Sequence, residues 1–239
     1  MRSEASRFVL LVAVAFASLS PAIYWIAYGT LPFLFLGESG IVETIAAVSC
    51  AGAAIVFIFD ACRSSSSSAL LRFWLVMLGL TSFFIAGEEI SWGQAFFGFE
   101  TSAELAEANF QGEFNLHNSK LFQAENNFLS SLFMKLLVLY LLILPLFLSV
   151  FPTARRIYDL FRVPTPSLKI ALIVLCAIMA NYLNMKLVYG VTLVEDTYRV
   201  GEMMESILEF CLLVLALEGL TRREEGKETC PLRSTHGLG

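Results

Sequence analysis

Residues 70–94 read "LLRFWLVMLGLTSFFIAGEEISWGQ", an apolar run that closes on two adjacent carboxylates, Glu88 and Glu89, and continues with Ser91, Trp92 and Gln94. About 20 apolar residues cross the hydrocarbon of a bilayer, so the run over 70–87 has the length of a crossing. The rest of the chain shares this character. Hydrophobic residues make up 57% and charged residues 15% of its 239 positions, with a mean hydropathy of +0.71. Soluble domains carry nearer a quarter charged residues. The expected fold is therefore all-α, a polytopic membrane helix bundle of about six transmembrane helices. Its spans are expected at about 8–28, 42–61, 70–87, 129–151, 168–189 and 197–219. A long extracytoplasmic segment, 88–128, joins helices 3 and 4; residues 1–220 form a single transmembrane domain and 221–239 a disordered cytoplasmic tail.

The first span has features of a signal peptide, with Arg2 and Arg7 before an apolar core and Ala15-Phe16-Ala17 as a small-residue site. Its apolar character persists through Tyr24, Trp25 and Tyr28, which favours an uncleaved span. Orientation follows from the basic residues, which are retained on the cytoplasmic side near span ends. Arg2 and Arg7, Arg63 and Arg72, then Arg155, Arg156, Arg162 and Lys169, and finally Arg222, Arg223, Lys227 and Arg233 all fall on one side of the six-span arrangement. Both termini are then cytoplasmic. The other side receives Glu88, Glu89, Glu100, Glu104, Glu107, Glu113 and Glu125 against the single base Lys120.

The cytoplasmic pieces carry little chemistry. Ser64 to Ser68 is a low-complexity solvated loop, and the five cysteines show no spacing of a disulfide framework or a zinc site. No nucleic-acid partner is expected, and the oligomeric state is left open.

In the outer segment, Thr101 or Ser102 can cap a short helix with Glu104 in its first turn; Glu104 and Glu107 are read as surface residues. Beyond it, Asn109, Gln111, Glu113, Asn115, His117 and Asn118 alternate with Phe110, Phe114 and Leu116. Two readings fit this period of two: an extended or re-entrant segment that points a polar edge into a cavity, or an interfacial loop resting its apolar residues on the membrane. On span six, Glu195, Tyr198, Glu202, Glu205, Ser206 and Glu209 share one helical stripe. A charge near the bilayer centre costs on the order of 2.5 to 3.5 kcal/mol on insertion scales. Glu205 and Glu209 are thus expected to face the bundle interior as protonated, hydrogen-bonded or cation-bound groups, with Asn181 and Asn184 of span five as partners. Together these placements predict an acidic chamber with Glu88 and Glu89 at its rim, Glu205 and Glu209 as its floor, and residues 109–118 as its lid.

"GEEISWGQ" at 87–94 and "NFQGEFNLHN" at 109–118 resemble a motif pair of uncharacterised bacterial multipass inner-membrane proteins. The resemblance covers roughly residues 85–120. It implies a shared outer site and a bacterial inner (plasma) membrane, and no reaction. The seven-helix ceramidase-like hydrolases, which gather several His around zinc, do not fit a chain whose only histidines are His117 and His236.

Three functional classes follow. The leading one is an enzyme acting on a lipid or lipid-linked glycan at the outer leaflet by hydrolysis or transfer, with Glu88, Glu89, Glu113, His117 and Glu205 as candidate catalytic groups. A divalent metal held by His117, Glu88 and Glu205 is its candidate cofactor. Ser91, Trp92, Gln94, Asn109, Gln111, Asn115, Asn118, Asn181, Asn184, Glu202 and Glu209 are its candidate substrate-binding residues. The alternatives are a proton- or cation-coupled transporter, because acids inside membranes mark such paths, and a noncatalytic membrane subunit that docks a partner through its acidic outer loop. The topology is tested by cysteine labelling from outside the cell: Ser119→Cys is expected to react and Ser66→Cys to be protected, and the reverse pattern would place the acidic segment inside.

Overall fold

The computed structural model describes residues 41–63, 68–121, 132–187 and 194–228, with side chains at 41, 95, 184–187, 194–203 and 224–228 excepted. The expected first span, residues 122–128 of the outer segment and the tail from 229 lie outside the described residues. The described chain is helical. Its elements are α1 (Ile41–Arg63), α2 (Ala69–Glu89), a 3-10 turn (Ser91–Gly93), α3 (Gln94–Phe97), α4 (Ala103–Glu107), α5 (Leu132–Val150), α6 (Pro152–Leu160), α7 (Leu168–Leu187) and α8 (Val194–Glu228). Among the described residues the only β-type pairing is an isolated bridge between Asn109 and Ser119.

Among the described residues three helices, α1, α2 and α5, are long and apolar enough to cross a membrane. At 1.5 Å per residue the 21 residues of α2 extend about 31 Å, the thickness of a hydrocarbon core. The apolar part of α7 is shorter, Leu168–Leu183. The 35 residues of α8 form one continuous helix whose apolar stretch is interrupted by Glu205, Glu209 and Glu218.

Each apolar helix divides into two faces. On α2, Leu75, Gly79, Ser82 and Ala86 are buried, whereas Phe73, Met77, Leu80 and Phe84 are exposed. Large apolar side chains repeating at three- and four-residue intervals on an outer face are the pattern of a lipid-facing surface. The buried faces meet around Phe57, Leu75, Leu141, Ile170, Ile173 and Leu208, all essentially inaccessible. α1 packs on both α2 and α8, α8 packs on α7, and α7 packs on α5. The closest approach of α1 to α2 depends on Gly79: a β-carbon there would lie 2.8 Å from the Ile58 side chain. Small residues serve this purpose in helices whose neighbours are as apolar as lipid. α5 is broken by a π-helical stretch at Leu139–Ile143, just before Pro145. Proline cannot donate to the residue four before it and crowds that carbonyl, and the wider turn accommodates the mismatch.

Polar contacts fix the two ends of the α1–α8 pair. Near the start of α1, the buried Ser206 hydroxyl donates to the Val42 carbonyl at 3.3 Å. At the other end Asp60, 2% exposed, accepts from Arg223 through Nε at 3.0 Å and through Nη2. Glu218 joins this end by accepting from Arg222 at 2.6 Å and from Ser167 at 3.0 Å. Removing one partner of a buried pair leaves an uncompensated charge. Asp60→Ala is expected to destabilise the fold by about 3 kcal/mol, the low end of the range because Arg223 is partly exposed, and Asp60→Ala/Arg223→Ala by less. Thermal unfolding in detergent checks this; a double variant no more stable than the single would refute it.

Candidate functional site

The site is built where α2 ends. After Glu89 the chain turns through Ser91, Trp92 and Gly93 at φ values of 45°, 54° and 83°. Left-handed conformations cost L-residues on the order of 1 kcal/mol each, so two non-glycine residues in succession need compensation from their surroundings. It comes from both side chains. The Trp92 ring lies against Gly87, where a β-carbon would come within 2.9 Å of the indole. Phe83 and Phe84 meet the same ring edge-on at 6.2 and 5.7 Å. The Trp92 indole N–H donates to Glu88 Oε1 at 2.8 Å. Ser91 Oγ donates to Glu113 Oε2 at 2.6 Å and accepts from Asn115 Nδ2 at 2.9 Å.

Residues 108–120 form a strap folded on itself. Phe110 N–H donates to Asn118 O at 2.9 Å and Lys120 N–H to Ala108 O at 2.8 Å. Inside the strap, Asn109 Oδ1 accepts from the N–H groups of Gln111 (2.8 Å) and Glu113 (3.3 Å). Asn109 Nδ2 reaches Asn115 O at 3.0 Å and Asn115 Oδ1 at 2.9 Å. Asn118 Nδ2 donates to Gln111 Oε1. Gln94 Oε1 accepts the Phe114 N–H at 2.8 Å, which ties α3 to the strap. Glu88 Oε2 then accepts the N–H groups of Leu116 (2.6 Å) and His117 (2.9 Å), which ties α2 to it.

This corrects the extended-segment reading of 109–118. Asn109, Asn115 and Asn118 are buried at 6%, 9% and 3% exposure because their amides replace a sheet's hydrogen bonds within the loop, while Phe110, Phe114 and Leu116 stay partly exposed. The alternation reflects a self-satisfied turn, with Gly112 at φ 73° allowing the reversal. α4 forms where a short helix was expected, with Ser102 at its N-cap position but without a side-chain cap bond.

A cavity of about 150 Å³ lies beneath the strap, lined by Thr81, Phe84, Ile85, Glu88, Glu89, Leu116, His117, Phe133, Met134, Glu205 and Glu209. Five of the candidate residues thus meet: Glu88 and Glu89 from α2, His117 from the strap, Glu205 and Glu209 from α8. Glu209 is 3% exposed, and its Oε2 has no hydrogen-bond partner. Among the described residues no Lys or Arg lines this cavity. Ser91, Trp92, Gln94, Asn109, Gln111, Glu113, Asn115 and Asn118 belong to the turn and the strap around it. Asn181 is half-buried on α7 and lines neither this cavity nor the second one, of about 330 Å³, which shares Phe84, Glu88 and Leu116 with the first. The side chains of Asn184 and Glu202 lie outside the described ones.

His117, Glu88 and Glu205, the candidate metal set, border this one cavity. Among the described residues no group of three or more His, Cys, Asp or Glu side chains can hold a metal ion. Glu88 is occupied by three N–H donors, and His117 Nδ1 stands 3.9 Å from Glu88 Oε2. Two contributors had no sequence reading: Gly87, whose signal is a glycine five residues ahead of a tryptophan, and the Phe133–Met134 wall, which nothing in the sequence marks. No protein-family model, curated protein or solved structure matches the chain.

Burial lowers the His117 pKa from its ordinary value, against the opposing pull of Glu88 and Glu113. A half-buried ring held neutral stabilises the folded strap fully above the ordinary pKa of about 6.5, and this contribution is lost as pH falls through the lowered value. Amide exchange over 109–118, corrected for intrinsic rates, is therefore expected to be slower at pH 7.5 than at pH 5. His117→Asn should remove most of the difference; an unchanged difference would sever the link to His117.

Proposed function

We propose that the chain is a six-span inner-membrane protein with both termini cytoplasmic, which takes up protons or a small cation from the outer side in the cavity beneath its strap. The observation that carries this reading is Glu209, a carboxyl group sealed from water, with one oxygen lacking a hydrogen bond, in a cavity shared with Glu89 and Glu205. Ionised carboxylates removed from water cost several kcal/mol apiece unless a partner offsets them, and a proton or cation is such a partner. Size supports the same reading. Pockets for drug-sized ligands occupy about 300 to 1,000 Å³, and this cavity is about half the lower limit. It suits an ion with a few waters better than a sugar or a lipid headgroup.

Catalysis on a lipid-linked glycan draws on the amides and on Ser91 for recognition. Their hydrogen bonds are made within the strap, so that class has the weaker support. A carrier or channel coupled to protons or cations keeps the acids in use and leaves the strap as the cover of the outer entrance. The resemblance of the motif pair agrees with a bacterial inner-membrane setting.

The test is proton flux into liposomes that contain the purified protein and an entrapped pH-sensitive dye, driven by a potassium diffusion potential. Wild-type protein is expected to pass protons, Glu209→Gln to slow the flux at least tenfold, and exposed Glu104→Gln to leave it unchanged. Repeating the measurement with sodium outside the vesicles separates proton from cation uptake. Equal fluxes for the two variants, at matched incorporation, would sink the proposal.

A further inference from the structure

The second cavity has a different chemistry. Its volume is about 330 Å³, and its walls are formed chiefly by Phe84, Trp92, Leu105, Ala108, Phe114 and Leu116. The polar residues that also border it are committed elsewhere. Glu88 holds three N–H groups, Glu113 Oε2 holds Ser91 and Asn115, and Asn109 and Asn115 hold each other. The wall an occupant would meet is chiefly carbon. Apolar walls favour apolar guests, because burying hydrocarbon removes it from water.

The position of the mouth identifies the guest. Phe84, Leu105, Phe114 and Leu116 remain 41 to 54% exposed while lining the cavity. Phe84 is also the last large residue in the outward row of α2 that begins with Phe73 and Met77. A row of that length and composition faces lipid, so the cavity opens where the lipid-facing surface of α2 ends and the strap begins. We propose that this cavity is a binding site for a single hydrocarbon chain of an outer-leaflet phospholipid, seated between the Trp92 turn and α4. The site requires no polar recognition of the headgroup, and it selects for chain over head. It stands apart from the ion reading: neither Glu205 nor Glu209 lines it.

The experiment places wild-type protein in nanodiscs doped with a phospholipid carrying a photoactivatable diazirine near the end of one acyl chain. After irradiation, labelled peptides are mapped by mass spectrometry. The expected result is labelling of peptides covering residues 105–116, reduced at least fivefold in Ala108→Phe, whose ring fills the cavity. Labelling along Phe73–Leu80 should persist in both and serves as the internal reference. Leu105→Trp, at the half-exposed mouth, is the second variant, and thermal unfolding shows which variants remain folded. Strap labelling that is absent in the wild type, or undiminished in a folded variant of either kind, would overturn the proposal. So would labelling by a free diazirine fatty acid without labelling by the phospholipid, since the proposed source is the bilayer lipid.

Discussion

The Glu88 carboxylate binds three N–H groups from two separate parts of the chain: the Trp92 indole on Oε1, and the backbones of Leu116 and His117 on Oε2. Hydrogen bonds to a charged group contribute about 1.5 to 3 kcal/mol each. Three of them are enough to offset the left-handed backbone at Ser91 and Trp92, which costs on the order of 1 kcal/mol per residue. At 5% exposure, Glu88 thus ties the end of α2 to both the turn and the strap, beside the Ser91–Glu113 and Gln94–Phe114 bonds. Adjacent residues on an α-helix point about 100° apart. This is why the chain places two acids where α2 leaves the apolar layer: Glu88 faces the strap and fastens it, while Glu89 lies against the acidic cavity with Glu205 and Glu209.

The helices were legible in the sequence because length and apolarity determine them directly. The expected spans at 42–61 and 70–87 fall on α1 and α2, the described part of 129–151 on α5, and 168–189 and 197–219 on helical α7 and α8. The stripe joining Glu205 to Glu209 was legible for a similar reason, since a period of 3.6 survives whatever the helix packs against. The strap was not. Asn109, Asn115 and Asn118 alternate with apolar residues as a strand would, yet the period of two comes from amides hydrogen-bonded within a loop, and single-sequence periodicity does not separate these cases. The roles of Glu88 and Glu113 were hidden likewise, because a carboxylate that binds the chain's own N–H and O–H groups is written with the same letter as one that binds substrate. Asp60 inside an apolar span pairs with Arg223, 163 positions later, at a distance that local patterning does not reach.

Polarity is divided along the bundle. At the end carrying Arg63, Arg222 and Arg223, acids meet bases: Asp60 pairs with Arg223, and Glu218 with Arg222. At the opposite end, acids line a cavity whose described wall residues include no Lys or Arg. A bundle held only by apolar packing would gain nothing from a carboxyl group such as Glu209 at its centre. Phe or Leu there would fill space without the desolvation cost. Glu209 is thus poorly explained as packing, and interhelical hydrogen bonding does not account for an oxygen that makes no hydrogen bond.

His117 joins the two functions of the strap. Its backbone N–H is one of the three donors on Glu88, and its side chain lines the cavity that holds Glu89, Glu205 and Glu209. A proton arriving on the ring adds positive charge to a wall otherwise supplied with acids, and the Coulomb attraction to nearby carboxylates favours that state. The same proton must be accommodated where burial favours the neutral ring. On the proposed ion reading, a cation among the carboxylates would weaken the attraction for the His117 proton, and by reciprocity a protonated His117 would weaken the hold on the cation. The strap that carries His117 would then respond to the charge beneath it.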